Sequence, residues 1–211
     1  MPRSADRHLP EKKPWSMKWI VAAIIVCVVP YTLINIKYRK SAPANLPYQD
    51  TKDRAGVIRL LGAGFQRISL EILRPGDPQT FAVNGVPATT TSVPGGLPPV
   101  LSEALIDKPL VPSAIAGALA PSQASAANAY TFQFTGTQPQ LGEQLAHAEA
   151  YVHSGRITIA PAFEPLEGDL RSRSLETTAQ LTIPAGALKP GTYEITLIGA
   201  RNSLRWSLEV R

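Results

Sequence analysis

The sequence predicts an all-β body, an antiparallel β-sandwich, preceded by a single N-terminal transmembrane helix. Three observations carry that prediction. Residues 19–36 form an uncharged apolar run. From Tyr130 onward, apolar and polar residues alternate with period two. Clusters of Gly, Pro, Asn and Ser separate the alternating segments, as turns between strands require.

The apolar run comes first. As a helix its 18 residues would span about 27 Å, close to the roughly 30 Å of a bilayer's hydrocarbon core. Trp15, Trp19, Tyr31 and Tyr38 lie at or near its ends, where amphipathic rings favour the headgroup layer. Pro30 removes one helical hydrogen bond, a loss that membrane helices tolerate. A cleaved signal fits less well. The run exceeds a usual signal core of roughly 7–15 residues, and Lys37, Arg39 and Lys40 follow it directly. A retained signal-anchor is therefore expected, making lipid contact through residues 19–36. Basic residues flank both sides, so the positive-inside rule gives no clear vote. A long C-terminal domain translocates largely regardless of charge, which favours placing it on the extracytoplasmic side of the cell membrane.

Charge supports this division. The formal net charge is +5. Residues 1–40 hold eight Lys or Arg against Asp6 and Glu11, so the remainder is close to neutral. The excess therefore flanks the apolar run, where cations meet anionic headgroups. A near-neutral body argues against a nucleic-acid partner. Cys27 is the single cysteine, which excludes an intramolecular disulfide and a Cys-rich metal centre.

The expected organisation follows in order. Residues 1–18 form a short basic tail, 19–36 the membrane helix and 37–55 a juxtamembrane spacer. Residues 56–83 supply the first strands of the sandwich or a separate hairpin. Within them Ile68, Leu70 and Ile72 alternate with Arg67, Ser69 and Glu71. The turn residues Arg74, Pro75, Gly76, Asp77 and Pro78 follow, with a second short strand at 80–83. Residues 84–128 contain 25 Pro, Ala, Gly or Ser and no aromatic residue. They read as a loop or linker, because so little buried area does not offset the ordering entropy. Apolar pieces at 101–106 and 114–119 suit short helical turns.

Residues 129–211 form the main sandwich. Tyr130, Phe132 and Phe134 share one face. Strands at 149–152 and 156–160 meet at His153, Ser154 and Gly155, while 141–148 is open between helix and strand. Ala179, Leu181 and Ile183 alternate next, then Tyr193, Ile195 and Leu197. Leu204, Trp206, Leu208 and Val210 alternate with Arg205, Ser207, Glu209 and Arg211, as a strand with one buried and one wetted face requires. Trp206 reads as a core anchor. A hairpin connection is expected at 199–203.

Leu188, Pro190, Gly191 and Tyr193 carry a resemblance. This segment is similar to the corner before the penultimate strand of immunoglobulin-like and fibronectin type III-like sandwiches. That resemblance implies that the Tyr193 hydroxyl bonds back to nearby backbone. It covers about 30 residues, and the paired cysteines of antibody domains are absent. Segments 56–83 and 129–211 together supply 111 residues, against about 100 for a seven-stranded sandwich.

No residue stands out for chemistry, so the expected catalytic, cofactor and metal residues are none. His147 and His153 lie six apart, neither a helical pair nor, with a turn between them, partners on one strand face. Glu164, Glu167 and Asp169 fit a solvated loop answered by Arg171 and Arg173 better than a carboxylate dyad or calcium site. Gly62, Ala63 and Gly64 are too short a match for phosphate recognition. The expectation is a non-enzymatic module of the cell envelope with an unknown protein partner. The alternative is an envelope polysaccharide-binding or hydrolase-accessory domain, with Tyr151 and Phe163 as its exposed aromatic candidates.

Overall fold

The local sequence signals become elements in chain order. The computed structural model describes residues 16–38, 47–75, 81–83, 85–168 and 170–211. The tail at 1–15, part of the spacer, Gly76, Asp77, Pro78 and Asp169 lie outside the described residues. Two units are described separately, residues 1–47 and 48–211.

The first unit carries helix α1, Met17–Tyr38, with Pro30 inside it. Thr32 donates its hydroxyl to the Val28 carbonyl at 2.8 Å, local polar support beside the proline. The described side chains, through Thr32, are exposed. The expected span 19–36 lies within α1 but extends past those side chains. Among the described residues no helix is long and apolar enough to cross a membrane. The transmembrane reading therefore rests on the sequence.

Helix α2, Pro47–Gly62, belongs to the second unit from Tyr48 onward, which corrects the spacer expectation for residues 47–55. Its stop is encoded locally. Gly64 adopts φ 79°. Phe65 N–H donates to Leu60 C=O and Gly64 N–H to Leu61 C=O, both at 2.9 Å. This is a Schellman cap, in which glycine tolerates the left-handed residue and the flanking Leu60 and Phe65 share one apolar cluster. The strand after it is β1, Gln66–Leu73, and residues 81–83 form no strand.

Residues 84–128 are not a loose linker. They carry β2 (Thr91–Pro94), α3 (Pro99–Ala104), β3 (Ala114–Leu119) and β4 (Gln123–Ala124). The composition argument failed because this segment borrows a core. Leu101, Ile115 and Ala120 are buried against the rest of the unit. Its backbone is also paired, for instance Ala88 N–H to Ala120 C=O at 2.8 Å.

The remaining strands are β5 (Tyr130–Thr137), β6 (Glu143–His153), β7 (Arg156–Pro165), β8 (Glu176–Ile183), β9 (Gly191–Leu197) and β10 (Asn202–Val210). The 141–148 ambiguity thus resolves to strand from Glu143. Ser154 and Gly155, both at positive φ, close the β6–β7 hairpin as a two-residue turn. The sheet runs β2-β10-β9-β7-β6-β1-β8-β5-β3, with β4 also on β10. β1 is the fold line: Gln66–Leu70 pairs with β6, and Glu71–Leu73 with β8. The sheet therefore curls into a long limb (β6, β7, β9, β10, β2, β4) and a short limb (β8, β5, β3). The class is all-β. Two pairings, β7 with β9 and β4 with β10, are parallel, which corrects the expectation of a purely antiparallel sheet.

The core lies between the limbs. Phe132, Leu181, Ile159, Leu197 and Leu208 are fully enclosed. Trp206 fulfils the anchor role: it meets Phe132 edge-on at 5.4 Å and donates its indole N–H to the Tyr130 hydroxyl at 3.1 Å. That hydroxyl in turn donates to the Pro121 carbonyl at 2.9 Å. The open side is stitched by Asn202, whose amide exchanges hydrogen bonds with the Ile115 backbone at 3.0 and 2.8 Å.

Candidate functional site

The outer face of the long limb holds the features with chemical potential. Strand geometry puts Arg156 of β7, Glu194 and Thr196 of β9, and Arg205 and Ser207 of β10 outward, with the buried Thr158 of β7 on the same side of its strand as Arg156. Residues 93–100 fold beside this surface as a wall. Gly95 makes the wall possible. A Cβ there would lie 2.5 Å from the Ala200 carbonyl oxygen, so only glycine lets the loop reach the β9–β10 turn. Gly96 N–H then donates to the Gly199 carbonyl at 2.9 Å. The result is a trough of about 620 Å³, also bounded by Phe65 and His153. A second basin of about 540 Å³ continues beyond Glu194 and Arg205, which line both. The larger basin has the size of an ordinary ligand pocket.

The electrostatics are simple. Arg205 Nε lies 3.5 Å from Glu194 Oε1, so this pair is largely self-neutralised. Arg156 stands opposite Glu194 in the parallel register. Among the described residues it has no ion pair or side-chain hydrogen bond. The trough therefore offers one uncommitted guanidinium, threonine hydroxyls and an apolar wall of Leu97 and Pro98. Such a surface holds an anionic group beside an apolar one.

A smaller cavity of about 150 Å³ lies beneath α2. Its centre is Glu149, buried on β6. Arg67 Nε donates to Glu149 Oε1 at 2.8 Å, and the Tyr151 hydroxyl donates to Glu149 Oε2. Burial acts to lower the Arg67 pKa, but the hydrogen bond and charge of Glu149 outweigh it and hold the guanidinium above its ordinary value. Desolvation, then the Glu149 hydrogen bond and charge, push the Tyr151 phenol up. This is a satisfied buried network, and Lys52 and Asp107 close its rim at 2.6 Å.

The sequence-singled residues fall as follows. His8 lies outside the described residues. His147 and His153 stand on one face of the uninterrupted β6 stretch, correcting the expectation that they do not share a face. Glu149 and Tyr151 lie between them, leaving the histidines roughly 20 Å apart. His147 meets Glu164 at 3.4 Å, and His153 stacks on Phe65 at 4.8 Å. Glu164 thus pairs with a histidine, while Arg171 and Arg173 form no ion pair among the described residues. Tyr151 and Phe163, expected to be exposed, are each 3 % accessible. Tyr151 is covered by α2 and α3, and Phe163 faces the core. Among the described residues no group of three or more His, Cys, Asp or Glu could hold a metal ion. Gly62 and Gly64 end a helix.

Sequence reasoning missed the trough. Its signal was the pair Gly95-Gly96 followed by Leu97-Pro98-Pro99, which marked a shaped loop within the supposed linker. No family model, curated protein or solved structure matches the chain.

Proposed function

We propose that this chain is a single-pass, membrane-anchored, non-enzymatic β-sandwich protein of the cell envelope that docks a protein partner in the trough of its long limb. Residues 19–36 enter the bilayer, and the β-rich unit stands on the extracytoplasmic side. Tethering concentrates the trough against partners in the same membrane. The immunoglobulin-like resemblance has support at its corner, where the Tyr193 hydroxyl donates to the Lys189 carbonyl at 2.9 Å.

The observation that carries the reading is the uncommitted Arg156 beside the apolar wall of a preformed trough. This chemistry fits an extended polypeptide segment that presents a carboxylate next to an apolar side chain. The polysaccharide alternative draws no support from its aromatic candidates, since Tyr151 and Phe163 are enclosed.

The test is site-specific photocrosslinking of the full chain in native membranes. A crosslinker at Arg205 should capture a discrete protein that a crosslinker at Thr178, on the short limb, does not. Arg156→Glu should abolish the capture without lowering the amount of protein. Equal labelling from both positions, or retention of the chain on cell-wall polysaccharide that an Arg156→Glu variant loses, would overturn the reading.

A further inference from the structure

The second half of α2 is apolar on two sides. Gly56, Leu60 and Ala63 turn toward the body of the unit, with Leu60 only 3 % accessible. On the other side Val57, Ile58 and Leu61 are 42 %, 69 % and 64 % accessible. Their i, i+1, i+4 spacing groups them into one stripe, with exposed Arg54 a turn earlier. A surface helix ordinarily keeps its outer side polar, and a helix apolar all round is covered.

We propose that this stripe lies in the interfacial layer of a lipid bilayer. The inference rests on the anchored reading above. Two observations select lipid as the occupant. α2 carries Asp50 and Asp53 in its first half and no acidic residue from Arg54 to Gly62, and Asp53 lines the cavity that holds Arg67. Arg54 is left on the exposed side, and Lys37, Arg39 and Lys40 precede it in sequence, a charge distribution suited to anionic headgroups. Seated in this way, α2 sets the height and tilt of the trough above the membrane, because Leu60, Leu101 and Tyr151 join α2 to α3 and the long limb in one cluster.

The experiment uses the full chain in phosphatidylethanolamine/phosphatidylglycerol vesicles. Cys27→Ser removes the single native cysteine. Ile58→Cys, or Leu61→Cys in a second variant, carries an environment-sensitive fluorophore, with Thr178→Cys as the water-facing control. Emission at 58 and 61 should shift to the blue and be quenched by headgroup-level spin-labelled lipid, while the control stays unquenched. Blue-shifted emission that lipid does not quench would mean that protein covers the stripe, and would overturn the proposal. So would water-like emission at both positions in vesicles that retain the chain through carbonate washing. Release by carbonate would instead defeat the anchored reading, and this inference with it.

Discussion

The outer faces of the two limbs are built from the same alternating strands and differ in kind. On the short limb, β5 and β8 present Thr131 against Thr182 and Thr135 against Thr178, hydroxyl to hydroxyl at 2.9 and 3.1 Å. Gln133 stands opposite Gln180 between them. The central face is thus neutral and regular, and its threonine hydroxyls serve one another across the strands. On the long limb, two helices, a glycine-dependent loop, a buried carboxylate and an unpaired arginine interrupt the same pattern. A strand pair needs only cross-strand partners to be stable. The groups that do more than that are confined to one face, which is why the trough is the functional candidate.

The sharpest way to break this contrast is to remove the carboxylate beneath α2. Glu149→Ala leaves the partly buried Arg67 without its partner and the Tyr151 hydroxyl without an acceptor. The expected loss is about 3 kcal/mol, at the lower end for a broken buried pair because Arg67 keeps access to water. Urea denaturation of the full chain in detergent measures it. Replacing both partners, Arg67→Met with Glu149→Leu, should restore most of the loss. If Glu149→Ala alone were neutral, the network would be incidental and the long limb no different from the short one.

Alkaline pH sharpens the comparison with a smaller effect. Tyr130 lies between the limbs and Tyr151 under the helices. Both phenols are pushed above the ordinary value of 10.0, chiefly by desolvation. A raised folded value means that the stabilisation is complete below pH 10.0 and declines as pH rises beyond it, because the unfolded chain releases its phenolic protons first. Denaturation midpoints should fall between pH 9 and pH 11, bracketing the ordinary phenol value. Tyr151→Phe should reduce that fall while costing about 1.5 kcal/mol at neutral pH, the value of a hydrogen bond to a charged acceptor. A pH slope unchanged by the substitution would show that Tyr151 ionises as freely in the folded protein as in the unfolded one.

How much of this the sequence disclosed depends on where the controlling contacts lie. β10 was legible because its partners repeat at every second residue: Leu204, Trp206, Leu208 and Val210 are all buried. Trp206 was legible as an anchor through its place in that same alternation, and the Tyr193 hydrogen bond because it depends on residue type and a near neighbour, Lys189. α2 was missed although its Schellman stop was written in Leu60, Gly64 and Phe65, because the alternation beginning at Gln66 drew the segment toward strand. The 84–128 stretch was misread because composition measures what a segment can bury by itself. Leu101 and Ile115 are buried by distant strands. The trough needs residues 93–100 and strands β7, β9 and β10 together, and no local pattern links Gly95 to Gly199.

The short limb provides the smallest effect and the cleanest contrast. Thr135→Val removes one hydroxyl from the Thr135–Thr178 pair and keeps the β-branched shape that suits a strand. The freed Thr178 hydroxyl is only half-buried, so water can replace the lost partner. The expected change is within about 0.5 kcal/mol, as for surface substitutions away from special features. Capture of a partner by the crosslinker at Arg205 should be unaffected. A loss of capture would mean that partners also read the threonine face, and the division between a recognising limb and a merely pairing limb would then fail. Measuring stability and capture on the same preparation separates the outcomes, because a purely structural effect lowers both in proportion and a contact effect lowers capture alone.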